Sequence, residues 1–226
     1  MKRLVIATCA IVLAFTAAAP AQQRDPEPAR FSGGSIPRPS PNTSPLAASG
    51  GDVILSVAVS ASGGVGQIDV LRTTPPYTDI VIAAVKTWRF SPALDSLRRP
   101  IDTHVLVDAV FGPPSIMVPT VGTPPKDVTT NDARVPFPAQ TNMPLYPVNA
   151  RAQGTVLVEA RVERSGRVSE ATAIRSAPPF DSPALDAARS WTFRPARDAA
   201  AFPATYAYLL FVFRQPNLSG PSAAPK

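Results

Sequence analysis

Chemistry in this chain of 226 residues would have to come from few side chains. It contains one histidine, His104, and one cysteine, Cys9. A closed zinc site takes four ligands drawn mainly from those two residue types, and a nucleophile–histidine triad needs partners around its imidazole, so neither is expected. Asp102, His104 and Asp108 fall on alternating positions of one strand-like stretch, where they share a face without implying a pocket. Asp186 and Arg189 sit three apart on a helix-like stretch and read as surface charges. No glycine-rich loop follows a strand and opens a helix, so a phosphate cradle is not expected either. The expectation is a protein that is not an enzyme, with no catalytic residue, no metal and no cofactor.

The amino terminus reads as an export signal. Lys2 and Arg3 precede a mostly apolar run from Leu4 to Ala19, and Ala19-Pro20-Ala21 supplies a small-x-small cleavage pattern. Cleavage after Ala21 places the protein in the periplasm. A retained helix would instead anchor it in the inner membrane, although the run is shorter than the roughly 20 residues that span a bilayer. Removing Lys2 and Arg3 lowers the formal charge from +6 to +4 and removes the only cysteine. The remaining basic excess is scattered arginine without interleaved aromatics, which argues against a nucleic-acid partner.

Sliding the chain against itself by 103 residues reveals an internal repeat. Fourteen of 43 positions from 51 to 93 are identical to their counterparts from 154 to 196, among them Gly63/Gly166, Pro75-Pro76/Pro178-Pro179, Trp88/Trp191 and Phe90/Phe193. The offset becomes 102 at Phe111/Phe213, so one residue is gained or lost in or near the last strand. A unit of 60–70 residues is close to the lower limit for an independent core, and the large side chains should carry much of its stability.

Each unit shows the same element pattern. Val53, Leu55, Val57 and Val59 alternate with small or polar residues, as do Val156, Val158, Ala160 and Val162, which predicts a half-buried strand. Gly63-Gly64 and Ser165-Gly166 permit a tight turn into a second strand at 65–72 and 168–175. A helix follows, capped by Thr78 or Asp79 in one unit and by Asp181 or Ser182 in the other, and Pro92 and Pro195 force it to stop near Phe90 and Phe193. A third strand ends at Phe111 and Phe213. The fold class is α+β, with two tandem β-β-α-β units, each a three-stranded antiparallel sheet and one packed helix.

Proline-rich stretches surround the units. The expected organisation is a signal at 1–21, a linker at 22–50, repeat 1 at 51–111, a linker at 112–143, repeat 2 at 144–213 and a disordered tail at 214–226. The two units either act bivalently across the spacer or pack together as a pseudo-dimer through their third strands.

The run Tyr146-Pro147-x-x-Ala150-Arg151-x-x-Gly154, followed by Val156-x-Val158, Ser165-Gly166-x-Val168, Leu185-Asp186-x-Ala188 and Trp191-x-Phe193-x-Pro195-Ala196, resembles the carboxy-terminal domain of the TonB family. The 45–111 region resembles a more degenerate copy. Met143 occupies the position of the family's glutamine before Tyr-Pro, and the first 21 residues carry no Ser-x-x-x-His pattern. The resemblance implies a periplasmic binding module that takes part in TonB-dependent transmembrane transport of siderophores and similar ligands. The implied partners are outer-membrane transporters, through TonB box peptides, and motor proteins of the ExbB and ExbD type if the amino terminus is retained. Such binding works by strand addition, in which main-chain groups give affinity and alternate side chains give selectivity. The best candidate edge is 204–213, with Tyr206, Tyr208, Leu210 and Val212 facing outward, and Tyr146 and Pro147 as further contacts. The competing readings are that this strand is buried against the other unit and that Tyr-Pro only fixes the approach of the chain. An exported scaffold of the envelope, uncoupled to transport, is the alternative function.

Overall fold

The computed structural model describes residues 24–38, 50–113, 133–197, 202 and 204–215. The proposed signal and most of the carboxy-terminal tail lie outside the described residues. Repeat 1 contains β2 (Gly51–Val59), β3 (Val65–Arg72), α1 (Tyr77–Val85), β4 (Arg89–Ser91), the short strands β5 (Ala93–Leu94) and β6 (Pro100–Ile101), and β7 (Thr103–Phe111). Repeat 2 contains β9 (Gly154–Glu163), β10 (Val168–Arg175), α2 (Asp181–Ser190), β11 (Thr192–Arg194) and β12 (Ala204–Phe213). The mixed α+β class holds, and the same strand–strand–helix–strand order occurs twice.

The segments read as linkers contribute strands. β1 (Arg30–Gly33) pairs with β4, and β8 (Phe137–Gln140) pairs with β11. Proline does not forbid this, because each ladder has only two strands and a missing N–H can face away from the partner. The indole N–H of Trp88 donates to Ser35 O at 2.7 Å, and that of Trp191 donates to Asn142 O at 2.8 Å, so each unit holds its preceding arm in the same way.

The hairpins form where the glycine pairs predicted them. Gly63 and Gly166 adopt φ of 80° and 81°, and an added Cβ would lie 2.0 Å from Phe90 O and 1.9 Å from Phe193 O. Both the dihedral and the close carbonyl demand glycine. The expected capping residues act differently from a helix cap: Thr78 and Asp181 lie in the first helical turn and accept bonds from the preceding backbone at Thr74 N and Ala177 N.

The six long strands form one sheet in the order β10-β9-β12-β7-β2-β3. All neighbours are antiparallel except β7 and β12, which pair in parallel from Leu106/Ala207 to Phe111/Val212. Parallel strands at the centre require the units to be related by rotation about an axis along those strands. Such a rotation exchanges the sheet's faces. Accordingly Val53, Leu55, Val57, Trp88 and Phe111 belong to one core cluster, while their counterparts Val156, Val158, Ala160, Trp191 and Phe213 belong to the other. Neither β7 nor β12 shows a register shift, which puts the one-residue slip in the segment leading into the strand.

Candidate strand-pairing interface

The expected binding edge is not an edge. β12 is hydrogen-bonded on one side to β9 along its whole length and on the other to β7. Tyr208, Leu210 and Val212, expected to face a partner, are buried in the core that also holds α1, Trp88 and Phe90. The strand is apolar on both faces because each face is covered: one by repeat 1's helix side, the other by repeat 2's own helix. Tyr206 is half-buried, with the Arg30 guanidinium 4.9 Å from its ring centre.

The arms close the remaining sheet surface by crossing to the opposite unit. Arg30 forms an ion pair with buried Glu159 on β9. Phe31 packs edge-on against Trp88 at 4.9 Å, and its N–H donates to the Tyr208 hydroxyl at 2.9 Å. That hydroxyl lies 3.2 Å from the Glu159 carboxylate. Burial, reinforced by the Glu159 charge, pushes the Tyr208 phenol well above its ordinary range. On the other face, Arg134 bridges to Asp69 on β3 at 2.7 Å and to His104 Nε2 on β7 at 3.1 Å. His104 therefore ties an arm to the sheet, and Asp102 accepts from Ala61 N at 2.7 Å in a turn. The three alternating residues assemble no catalytic arrangement. Among the described residues no group of three or more His, Cys, Asp or Glu side chains is placed to hold a metal ion.

The arms were invisible as spacers, yet Ala29-Arg30-Phe31 and Val135-Pro136-Phe137 repeat an apolar alternation before each unit. Arg214, just past β12, was also missed: its Nε donates to Gly112 O at 2.6 Å and its Nη1 to Tyr77 Oη at 2.8 Å. Burial lowers its affinity for a proton. It closes the end of the central strand pair where Tyr77 stacks on Phe111.

Tyr146 and Pro147 lie apart from β12's central stretch, at the approach to β9. The Tyr146 hydroxyl donates to Ala152 O at 2.6 Å and its ring packs 5.5 Å from that of Phe180. Leu145 and Val148 on either side are exposed.

Among the described residues, the outermost long strands of the sheet are β3 and β10. Their environments differ. α2 lies close over β10 and β9, where Ala171, Ala173, Ala184, Ala187 and Ala188 allow near approach. α1 approaches β2 and stands off β3, whose Ile68 is half-buried and whose Val70 is 41% exposed.

The described residues thus build one six-stranded sheet with an aromatic core on each face and β3 and β10 as its outer strands. Residues 142–214 match the family described as Gram-negative bacterial TonB protein C-terminal. The family is transport-associated and non-enzymatic, works on the periplasmic side of the Gram-negative envelope and implies contact with outer-membrane transporters. The matched segment begins just after β8 and runs through β12, whereas repeat 1 lies outside it. No curated protein and no solved structure matches the chain. No helix of the described residues is long and apolar enough to cross a membrane.

Proposed function

We propose that the protein is a TonB-like binding module of the periplasm that takes part in TonB-dependent transport by pairing with extended segments of outer-membrane transporters. The observation that carries this reading is the family match over 142–214, which falls on one β-β-α-β unit. Repeat 1 is a second, diverged copy of that domain, supported by its identical element order and its exchanged core clusters. With β12 sealed, a transporter segment adds to an outer strand of the sheet, where main-chain pairing supplies affinity. Leu145 and Val148 flank Tyr146-Pro147 and offer a second apolar contact. The amino-terminal signal is cleaved in this reading. If it is retained, ExbB- and ExbD-type motor proteins become partners as well.

The sealed β12 favours one other reading specifically: an envelope scaffold uncoupled to transport. Fluorescence anisotropy of labelled TonB box peptides with the full chain separates the two. The transport reading expects saturable binding that is lost when alternate peptide nitrogens are methylated. Absence of binding, together with a mature protein that co-fractionates with other envelope components, supports the scaffold.

A further inference from the structure

Opening the centre of the sheet to admit a partner is energetically remote. Freeing β12 from β7 would expose Tyr208, Leu210 and Val212 together with Val105, Val107 and Ala109, all inside one shared core. Re-exposing each large apolar side chain costs about 1.5–3 kcal/mol, more in total than a short peptide returns. The two outer edges therefore compete for any added strand, and their surroundings are unequal. On β10 the contact with α2 is lined by Ala171 and Ala173, with Leu185 of the helix partly buried beside them. On β3 the helix stands off, and Ile68, Val70 and Ile82 remain partly uncovered on one face. In repeat 2 the two strand positions are Ala171 and Ala173. The fold is thus built at equivalent positions without the larger side chains.

We propose that β3, with the flank of α1 beside it, is the docking edge for a short extended peptide of a partner protein that carries apolar side chains at alternate positions. The main chain of an edge strand accepts only another extended backbone. The ladder with β2 runs in register only from Leu55/Val70 to Val57/Ile68, with shifts on both sides. Such bulges twist the edge away from a second rigid sheet and leave room for a few residues of a flexible segment. Apolar side chains of that segment on the helix side meet Ile68, Val70 and Ile82. This inference rests on the strand-addition reading of the previous section and adds the place and the side-chain pattern.

The test uses the full chain and two probes: a TonB box peptide and a ten-residue peptide of alternating valine and threonine with terminal lysines. Amide hydrogen exchange and anisotropy are read for the wild type, V70K and T172K, the two lysines lying on exposed positions of β3 and β10. The expected result is slowed exchange of β3 amides on adding peptide, at least tenfold weaker binding in V70K, and unchanged binding in T172K. Weaker binding in T172K alone, or protection confined to β10, overturns the assignment. Protection of β3 without peptide, in a dimer abolished by V70K, overturns it in favour of a second copy of the chain. If only the valine–threonine peptide binds, with β3 protected, the edge assignment stands and the transporter reading falls. If neither binds, both fall.

Discussion

Asp108 offers the most quantitative test of the structure. It lies on β7 between Ile54 of β2 and Leu209 of β12, is fully buried, and neither carboxyl oxygen has a hydrogen-bond partner. The Ser56 hydroxyl, also buried on the neighbouring strand, is likewise unpartnered. Burial, with the Asp52 charge adding to it and Arg72 opposing it, pushes the Asp108 carboxyl well above the usual range. Asp52 is itself raised by burial although Arg72 pairs with it at 2.9 Å. A folded chain that keeps this proton competes with an unfolded chain that gives it up near pH 4. The group's unfavourable effect is thus absent below about pH 4, and stability falls by about 1.4 kcal/mol per pH unit as pH rises towards the folded value. Between pH 5 and the folded value, urea denaturation of the wild type should show that decline and Asp108→Asn should flatten it. Asp108→Leu places the residue found at the counterpart position, Leu210, and removes two acceptors that each cost about 1–3 kcal/mol when unmatched. Allowing for some overpacking, it should stabilise the neutral-pH protein by about 1–3 kcal/mol. An Asp108→Asn protein with the wild-type pH slope would refute the burial of an unpartnered acid.

Other consequences can be read by the same denaturation assay. Gly63→Ala and Gly166→Ala should each cost about 2 kcal/mol or more, because a left-handed dihedral and a backbone clash coincide; a loss under half of that would contradict the turn geometry. Trp88→Ala and Trp191→Ala should each cost about 3–5 kcal/mol, since both rings are buried, and each should also free its arm to faster hydrogen exchange. Tyr208→Phe removes the hydroxyl that joins Phe31 N and Glu159 and should cost about 1 kcal/mol while leaving the sheet intact, with increased exchange at Phe31 as the specific sign.

Much of each unit was legible because its information is local. Alternation at 53–59 and 156–162, the glycines at 63 and 166, and the proline-enforced helix stops act within a few residues, and the repeat let each reading check the other. What the sequence left open was the relation between units: pairing through the third strands was one of two readings, and the outward-facing edge at 204–213 was the choice that failed. The run from Ala204 to Phe213 is apolar at both alternations, the mark of a strand covered on two faces, but a single unit offers only one covering helix. The second cover comes from residues about 120 positions earlier, which no local pattern announces. The burial of Asp108, on the face it shares with Asp102 and His104, was not legible for the same reason: repeat 1 alone leaves that face open, and the arm carrying Arg134 and Val135 precedes repeat 2. Prolines concealed the arms because they were read as main-chain breakers, although a two-stranded ladder tolerates them.

The duplication changes what a sheet of this kind can offer a partner. Each unit alone would end in a strand whose two apolar faces and free edge invite pairing. Rotation about an axis along that strand satisfies all three at once: the edge finds its counterpart, and each face gains a helix or an arm from the other copy. The consequence is stability bought from the same main-chain groups that strand addition would use. Recognition must then move outward to β3 and β10, where the copies have diverged in side-chain size and helix approach. Because those outer strands are equivalent by the internal symmetry, their differences cannot be attributed to the demands of the common fold. They are where selection for a partner would be visible, which makes the V70K and T172K comparison a test of function within one molecule.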